Sequence, residues 1–221
     1  MQKLHHFKSG NQKLLFFSDP HLGHVPKSWT PLYVTRGFNS ITEHDDWFFS
    51  QWEKHVDKET IVFCLGDVAF NDADSKRFNR FASLPAKKHF VMNGNHLSGM
   101  KQAYASALHA ASIPINGEFY PLDYQNITFT GYYLHAFIDG VSVYMQHYPQ
   151  YVWPEQGDGG FCLCGHCHGN AHELNPTGVT TGKILDIGFD NAIAYNQSPF
   201  FSWEDIKIIM DKKPIVTRDH H

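Results

Sequence analysis

Five short apolar runs in this chain each stop at a turn, and each turn delivers side chains of a metal-ligand type. The runs are Leu14-Leu15-Phe16-Phe17, Ile61-Val62-Phe63-Cys64-Leu65, His89-Phe90-Val91-Met92, Val141-Ser142-Val143-Tyr144-Met145 and Phe161-Cys162-Leu163-Cys164. All are too short for helices and read as strands. After them come Asp19 and His21, Asp67, Asn95 and His96, His147, and His166 with His168. Side chains at the carboxyl ends of neighbouring strands converge in one crevice. Gly66, Gly94 and Gly165 each stand one residue before a ligand, where a backbone without Cβ can turn sharply and let the next side chain face an ion.

The 221 residues suit one domain, 1–221, with a core of two or three layers. A balance of 18 basic against 22 acidic residues, −4 with His neutral, argues against an extended groove that tracks a nucleic-acid backbone. A small phosphate ester is an easier substrate for such a surface. Of the 16 His, the terminal His5, His6, His220 and His221 need only solvent, whereas five others fall in the strand-end motifs. The N-terminus does not resemble a signal peptide, no apolar stretch has spanning length, and four Cys make no disulfide framework. The expectation is a cytoplasmic protein with no membrane partner. Cys162, Cys164 and Cys167 bracket Gly165-His166, and thiolate and imidazole both suit zinc. Cys162 and Cys164 share a strand face, however, and no second Cys pair exists, so they read as core.

Strand and helix signals alternate through the first half, as in β-α-β units. A Thr42-x-x-Asp45 capping pattern opens a helix whose Trp47, Phe48, Gln51, Trp52 and Val56 hold one face. A second helix is predicted around Asp74 to Leu84, before Pro85, and a weaker one over Met100 to Ala110. From Ile113 onward the pattern turns β-rich and antiparallel. Asp139-Gly140 between apolar runs predicts a hairpin that aims His147 at the ligand cluster. Gly157 to Gly160 lacks a following Lys-Ser or Lys-Thr and reads as a flexible rim rather than a phosphate cradle. Lys183 to Gly188 is strand-like, and Ser202-Trp203-Glu204-Asp205 caps a last helix through Met210.

Two Asp, one Asn and several His form an oxygen and nitrogen set suited to Mn2+, Fe2+ or Zn2+ rather than Ca2+. So many ligands imply two ions, with Asp67 the carboxylate able to bridge them. Two such ions lower the pKa of a bridging water and neutralise charge on a phosphate ester. His96 is then placed to protonate the leaving oxygen as general acid.

Ser18-Asp19-Pro20-His21, Leu65-Gly66-Asp67, Asn93-Gly94-Asn95-His96, Gln146-His147-Tyr148-Pro149 and Cys164-Gly165-His166-Cys167-His168 together resemble the calcineurin-like metallophosphoesterases, in the family's order and across most of the chain. Asp19-Pro20-His21-Leu22-Gly23-His24 with Arg36-Gly37-Phe38 looks like the small single-domain bacterial and phage type. For a phage member the compartment is the host cytoplasm. The resemblance implies a four-layer α/β/β/α sandwich. It implies one ion held by Asp19, His21, Asp67 and His168, and a second held by Asp67, Asn95, His147 and His166. His24 and Arg36 correspond to positions near the phosphate, and Asn95 is expected to contact substrate as well as an ion. One departure stands out: the family places an acidic residue after the Asn-His pair, and this chain has Leu97. Asp186, Asp190 or another carboxylate would then have to orient His96.

The expected function is phosphodiester hydrolysis on a small or nucleotide-like substrate, with Trp29, Tyr148, Tyr151 and Trp153 available to stack a base. Phosphomonoester hydrolysis and a catalytically silent metal-binding scaffold remain as alternatives. The expected cofactor is Mn2+, with Zn2+, Fe2+ and Ni2+ as the other candidates.

Overall fold

The computed structural model describes residues 4–70, 76–111, 122–178 and 182–218. In chain order the strands are β1 His5–Phe7, β2 Leu14–Phe17, β3 Ile61–Cys64, β4 Lys88–Met92, β5 Leu122–Tyr124, β6 Ile127–Gly131, β7 Tyr133–Ile138, β8 Val141–Gln146, β9 Phe161–Cys164, β10 Ile184–Asp186 and β11 Phe201–Ser202. The helices are α1 Leu32–Thr35, α2 Ile41–His55, α3 Lys76–Ala82, α4 Ser98–Ala110, α5 Phe189–Asn196 and α6 Trp203–Asp211.

Two sheets divide the strands. One runs β11-β2-β3-β4-β6-β5, with β2, β3, β4 and β6 parallel and the two edge strands antiparallel. The other runs β1-β7-β8-β9-β10 and is parallel except for the β7–β8 hairpin. Among the described residues, the antiparallel pattern expected after Ile113 holds for the β5–β6 and β7–β8 hairpins and for β11 on β2. Both β8–β9 and β9–β10 pair parallel, which brings His147 and the His166–His168 turn to one end of the sheet. Asp139 (φ 50°) and Gly140 (φ 87°) make the hairpin turn, both left-handed as a tight two-residue turn requires.

Alternate residues of each strand fill different cores. Phe16, Phe63 and Phe90 meet Leu134, Val143, Met145 and Leu163 between the two sheets. Leu15, Phe17, Val62, Cys64 and Val91 face the other way, onto Phe48 and Trp52 of α2, Phe78 and Phe81 of α3, and Tyr104 and Leu108 of α4. A third, smaller cluster joins Cys162, Cys164 and Ile184 to Trp153 and Leu174, which lie in loops and a short turn of tight helix. The two Cys are free core thiols, and Trp153 is buried rather than available to a base.

Several local expectations shift by a turn. The cap of α2 is Ser40, which accepts from Glu43 N, rather than Thr42. α4 begins at Ser98, directly behind Leu97, so the chain enters a helix as soon as it has placed Asn95 and His96. The expected start of the second helix at Asp74 lies outside the described residues. Ser202 and Asp205 do form a reciprocal capping box on α6. The Gly157–Gly160 segment overlaps a short tight helix over Gln156–Asp158, with Gly157 and Asp158 exposed and Gly160 buried, and Gly159 and Gly157 approach Ile215 and Thr217.

His89 has a role the sequence did not signal. It lies under α2, stacked on Trp52 with ring centres 5.4 Å apart, and its Nε2–H donates to Leu84 O at 3.2 Å. Burial pushes its pKa down from 6.5 to about 4. The neutral ring thus favours the folded state above pH 6.5, and that contribution is lost as pH falls from 6.5 through 4. The loss is on the order of 3 kcal/mol. We expect His89→Gln to be less stable at neutral pH but to lose less stability than the wild type on acidification to pH about 4.5. Equal slopes of melting temperature against pH would remove His89 from this role.

Candidate metal centre

Asp19, His21, Asp67, His147, His166 and His168 gather with Asn95 and His96 at the carboxyl ends of β2, β3, β4, β8 and β9. Asp19, His21, Asp67, His166 and His168 all have positive φ, between 49° and 68°. The left-handed region costs a residue with a Cβ free energy, and such residues cluster at functional sites. The turns are thus made largely by the candidate ligand residues themselves. Of the three glycines expected to make them, Gly66 alone has positive φ, at 112°. Gly94 and Gly165 serve close approach instead: a Cβ on Gly94 would run into Asp67 Oδ1, and one on Gly165 into Ser18 Oγ and Asp19 Oδ2. We expect Gly94→Ala to displace the Asp67 carboxylate and weaken ion binding by ~10-fold or more, a change that calorimetric titration with Mn2+ would detect.

Each of the two carboxylates commits one oxygen to a backbone N–H of a neighbouring ligand turn. Asp19 Oδ2 accepts from His166 N at 2.8 Å, and Asp67 Oδ1 accepts from His96 N at 2.8 Å. The free oxygens face imidazole nitrogens. Asp67 Oδ2 lies 3.5 Å from His21 Nε2 and 3.4 Å from His147 Nε2, while Asp19 Oδ1 lies 3.6 Å from His21 Nε2 and 3.9 Å from His168 Nε2. These gaps are long for hydrogen bonds. Two ligand atoms each about 2.1 Å from a shared ion stand about 3.0–3.4 Å apart, which is close to what is seen.

The tautomers point the same way. His147 Nδ1–H donates to Leu65 O at 2.9 Å, so its Nε2 faces Asn95 Oδ1 at 2.8 Å and Asp67 Oδ2. His168 Nδ1–H donates to Asp190 Oδ2 at 3.1 Å, leaving Nε2 toward Asp19. His166 Nδ1 also meets Asn95 Oδ1, at 2.9 Å. With the proton of His147 and of His168 on Nδ1, their Nε2 lone pairs face Asp67 Oδ2 and Asp19 Oδ1 with no donor between them unless a cation or an extra proton sits there. Without a cation the pKa values of His147 and His168 rise despite burial, because the Asp67 and Asp19 carboxylates face His147 and the Asp190 and Asp19 carboxylates face His168. His21, His147 and His168 around Asp19, and His147 and His21 around Asp67, outweigh burial and hold both carboxyls below the ordinary range. Among the described residues, Asp19 Oδ1 and both nitrogens of the buried His21 ring have no hydrogen-bond partner, and three groups can each close on one ion: Asp19 with His21 and His168, His21 with Asp67 and His96, and Asp19 with Asp67 and His147. The donor set fits divalent ions that take oxygen and imidazole nitrogen.

His96 packs its ring on His21 and Phe70, with centres 5.2 and 4.9 Å away. Neither expected carboxylate orients it. Asp186 accepts from Gly169 N and Gly188 N, and Asp190 belongs to His168 and Arg36. Burial raises the Asp186 pKa to about 6.

The expected phosphate contacts need correction. Arg36 has a side chain 2% exposed, and its nitrogens are engaged by the protein. A phosphate would have to break the Asp190 pair to reach it. His24 is buried, accepts from Leu32 N at 3.0 Å, and has a pKa pushed down to about 4 by burial and by nearby His21 and Arg36. It is neutral near pH 7 and brings no charge to an anion. Tyr148 is 48% exposed and its ring centre lies 4.5 Å from that of His166. Tyr151 is covered on one face by the Arg218 guanidinium.

No family model and no curated protein sequence matches the chain. A solved structure of a protein of unknown function from Aquifex aeolicus is similar to it, with a TM-score of 0.58 and 15% identity over 89% of this chain and 98% of that one. The likeness establishes a shared α/β fold. Among the described residues no helix is long and apolar enough to cross a membrane.

Proposed function

We propose that this protein hydrolyses phosphate esters with two divalent metal ions, Mn2+ first among Mn2+, Zn2+, Fe2+ and Ni2+, acting on a small or nucleotide-like diester. The observation that carries the reading is Asp67 Oδ2, which lies 3.5 Å from His21 Nε2 and 3.4 Å from His147 Nε2 and so faces both halves of the ligand set. Asp19, His21 and His168 would hold one ion and Asn95, His147 and His166 the other, with Asp67 common to both. When bound, such ions supply an activated water and neutralise phosphate charge.

The chain's own residues provide the rest. Asp19 and Asp67 are each fixed by a backbone N–H, so their free oxygens are set before any ligand arrives. His96 brings a titratable ring to the same cluster, where a leaving oxygen needs its proton. With Arg36 turned inward, the second charge of a monoester lacks the guanidinium expected to meet it, which favours a diester. Tyr148 beside His166 offers a face to a base or aryl group. The two sheets, with α2, α3 and α4 packed on the outer face of one of them, support a four-layer α/β/β/α sandwich of the calcineurin-like kind.

A panel of diesters, monoesters and nucleotides, run on chelator-stripped protein with added Mn2+, Zn2+, Ni2+ or Mg2+, tests this. We expect diester cleavage restored by Mn2+ and faster than monoester cleavage. Ion binding without cleavage of any ester would instead support the scaffold reading.

A further inference from the structure

Arg36 and Asp190 are 154 residues apart in sequence and meet in a two-pronged pair, Nε to Oδ1 at 2.9 Å and Nη2 to Oδ2 at 2.9 Å. The remaining N–H groups reach three further acceptors. Nη2 donates to Asp19 O at 2.9 Å, and Nη1 donates to Pro20 O at 3.1 Å and meets His44 Nε2, also at 3.1 Å. Five N–H groups thus meet five acceptor atoms at 2.9–3.1 Å, the full capacity of a guanidinium, and His168 Nδ1 stands a longer 3.4 Å from Nη2, in keeping with a nitrogen that donates to Asp190. Its flat face lies 4.1 Å from the centre of the Phe189 ring. From behind, His44 Nδ1–H donates to Asp45 Oδ1 at 3.0 Å, which leaves Nε2 as the acceptor that Arg36 needs.

The acceptors belong to one side of the metal centre. Asp19 O belongs to the Asp19–Pro20 peptide and Pro20 O to the Pro20–His21 peptide that follows it, and Asp190 Oδ2 is the acceptor for His168 Nδ1–H. One guanidinium therefore braces the turn that carries Asp19 and His21 together with the ring of His168. The opposite ligands are held by other means: His147 by Leu65 O, and Asn95 by its contacts with His147 and His166.

We infer that Arg36 and Asp190 are positioning residues for one ion only, the one expected on Asp19, His21 and His168. Asp190 fixes the His168 tautomer with Nε2 toward the ion, and Arg36 locks Asp190 to the Asp19–His21 turn. This rests on the dinuclear reading above. A carboxylate behind a ligating imidazole sets ring orientation and raises basicity, and its loss typically costs ~10–100-fold in metal affinity. Lys has three donors on one nitrogen and cannot span five acceptors, so Arg36→Lys should behave like Arg36→Gln although it keeps the charge.

The test is equilibrium dialysis of stripped protein against Mn2+, with electron paramagnetic resonance of the same samples. Wild type should bind two ions per chain with an exchange-coupled signal. Asp190→Asn and Arg36→Lys should bind one ion at near wild-type affinity and the other ~10–100-fold more weakly. At intermediate Mn2+ they should show the six-line spectrum of an isolated ion. A purely structural role would lower the melting temperature of the stripped protein while leaving two equal sites. Two ions at wild-type affinity in Asp190→Asn, or equal weakening of both, overturns the inference, whereas a wild type that binds no ion overturns the dinuclear reading itself. Should the variants not fold, nitrogen-15 spectra of stripped wild type at a pH where His168 is neutral decide: the proton is expected on Nδ1, and a proton on Nε2 contradicts the assignment.

Discussion

Asp67→Asn is expected to abolish ester hydrolysis and reduce occupancy at both ion positions. The amide keeps the shape but lacks the charge, and the one oxygen that faces both His21 and His147 is the one affected. Charge stabilisation by bound ions is worth several kcal/mol, so the loss in kcat/KM should be ~10^3-fold or greater. The other oxygen remains as the amide carbonyl and still accepts from His96 N, so the turn that carries His96 is kept while the charge is lost. Elemental analysis with kinetics on the same samples checks this. Two ions retained per chain with near-native turnover would mean that Asp67 is not shared between them.

His96→Ala is expected to keep both ions and lose activity according to leaving group. General acid catalysis contributes typically ~10^2–10^4-fold, and that factor should vanish for esters of poorly departing alcohols. Nitrophenyl esters should suffer much less, because nitrophenolate departs without a proton. The ratio of the two losses separates proton transfer from ion binding. His96 also stands close enough to His21 and Asp67 to ligate an ion, which predicts the opposite pattern, equal losses for both ester types together with reduced metal content. Leu97→Asp adds a test. Asp186 and Asp190 are both engaged around the His168 turn, so a new carboxylate beside His96 should raise the rate on poor leaving groups.

The strand ends were legible in the sequence because an apolar run and the ligand that follows it are contiguous. The same holds for the Asp139-Gly140 hairpin and the Ser202 capping box, where donor and acceptor lie within three residues. Arg36 shows the limit. A guanidinium fork suits a phosphate and a carboxylate equally well, and nothing local says that Asp190, 154 residues away, takes it. Asp190 was considered for His96 but belongs to His168, since which imidazole a carboxylate serves is decided by how β9 and α5 pack. In the Cys164-Gly165-His166 turn the glycine suggests a backbone device, yet the strain sits on His166 and His168, and Gly165 is small because Ser18 and Asp19 crowd it. Short elements such as β1, α1, α5 and β11 gave too little periodicity to find, and their places depend on pairing with distant strands and on packing against the cores.

The most direct measurement is a single titration of chelator-stripped protein with Mn2+ in which bound ions per chain and turnover of a diester are followed together. Two ions should bind, and turnover should rise in step with occupancy to a plateau at two per chain. Turnover that survives complete stripping, or no Mn2+ bound at millimolar concentration, would contradict a hydrolase built on Asp19, His21, Asp67, Asn95, His147, His166 and His168.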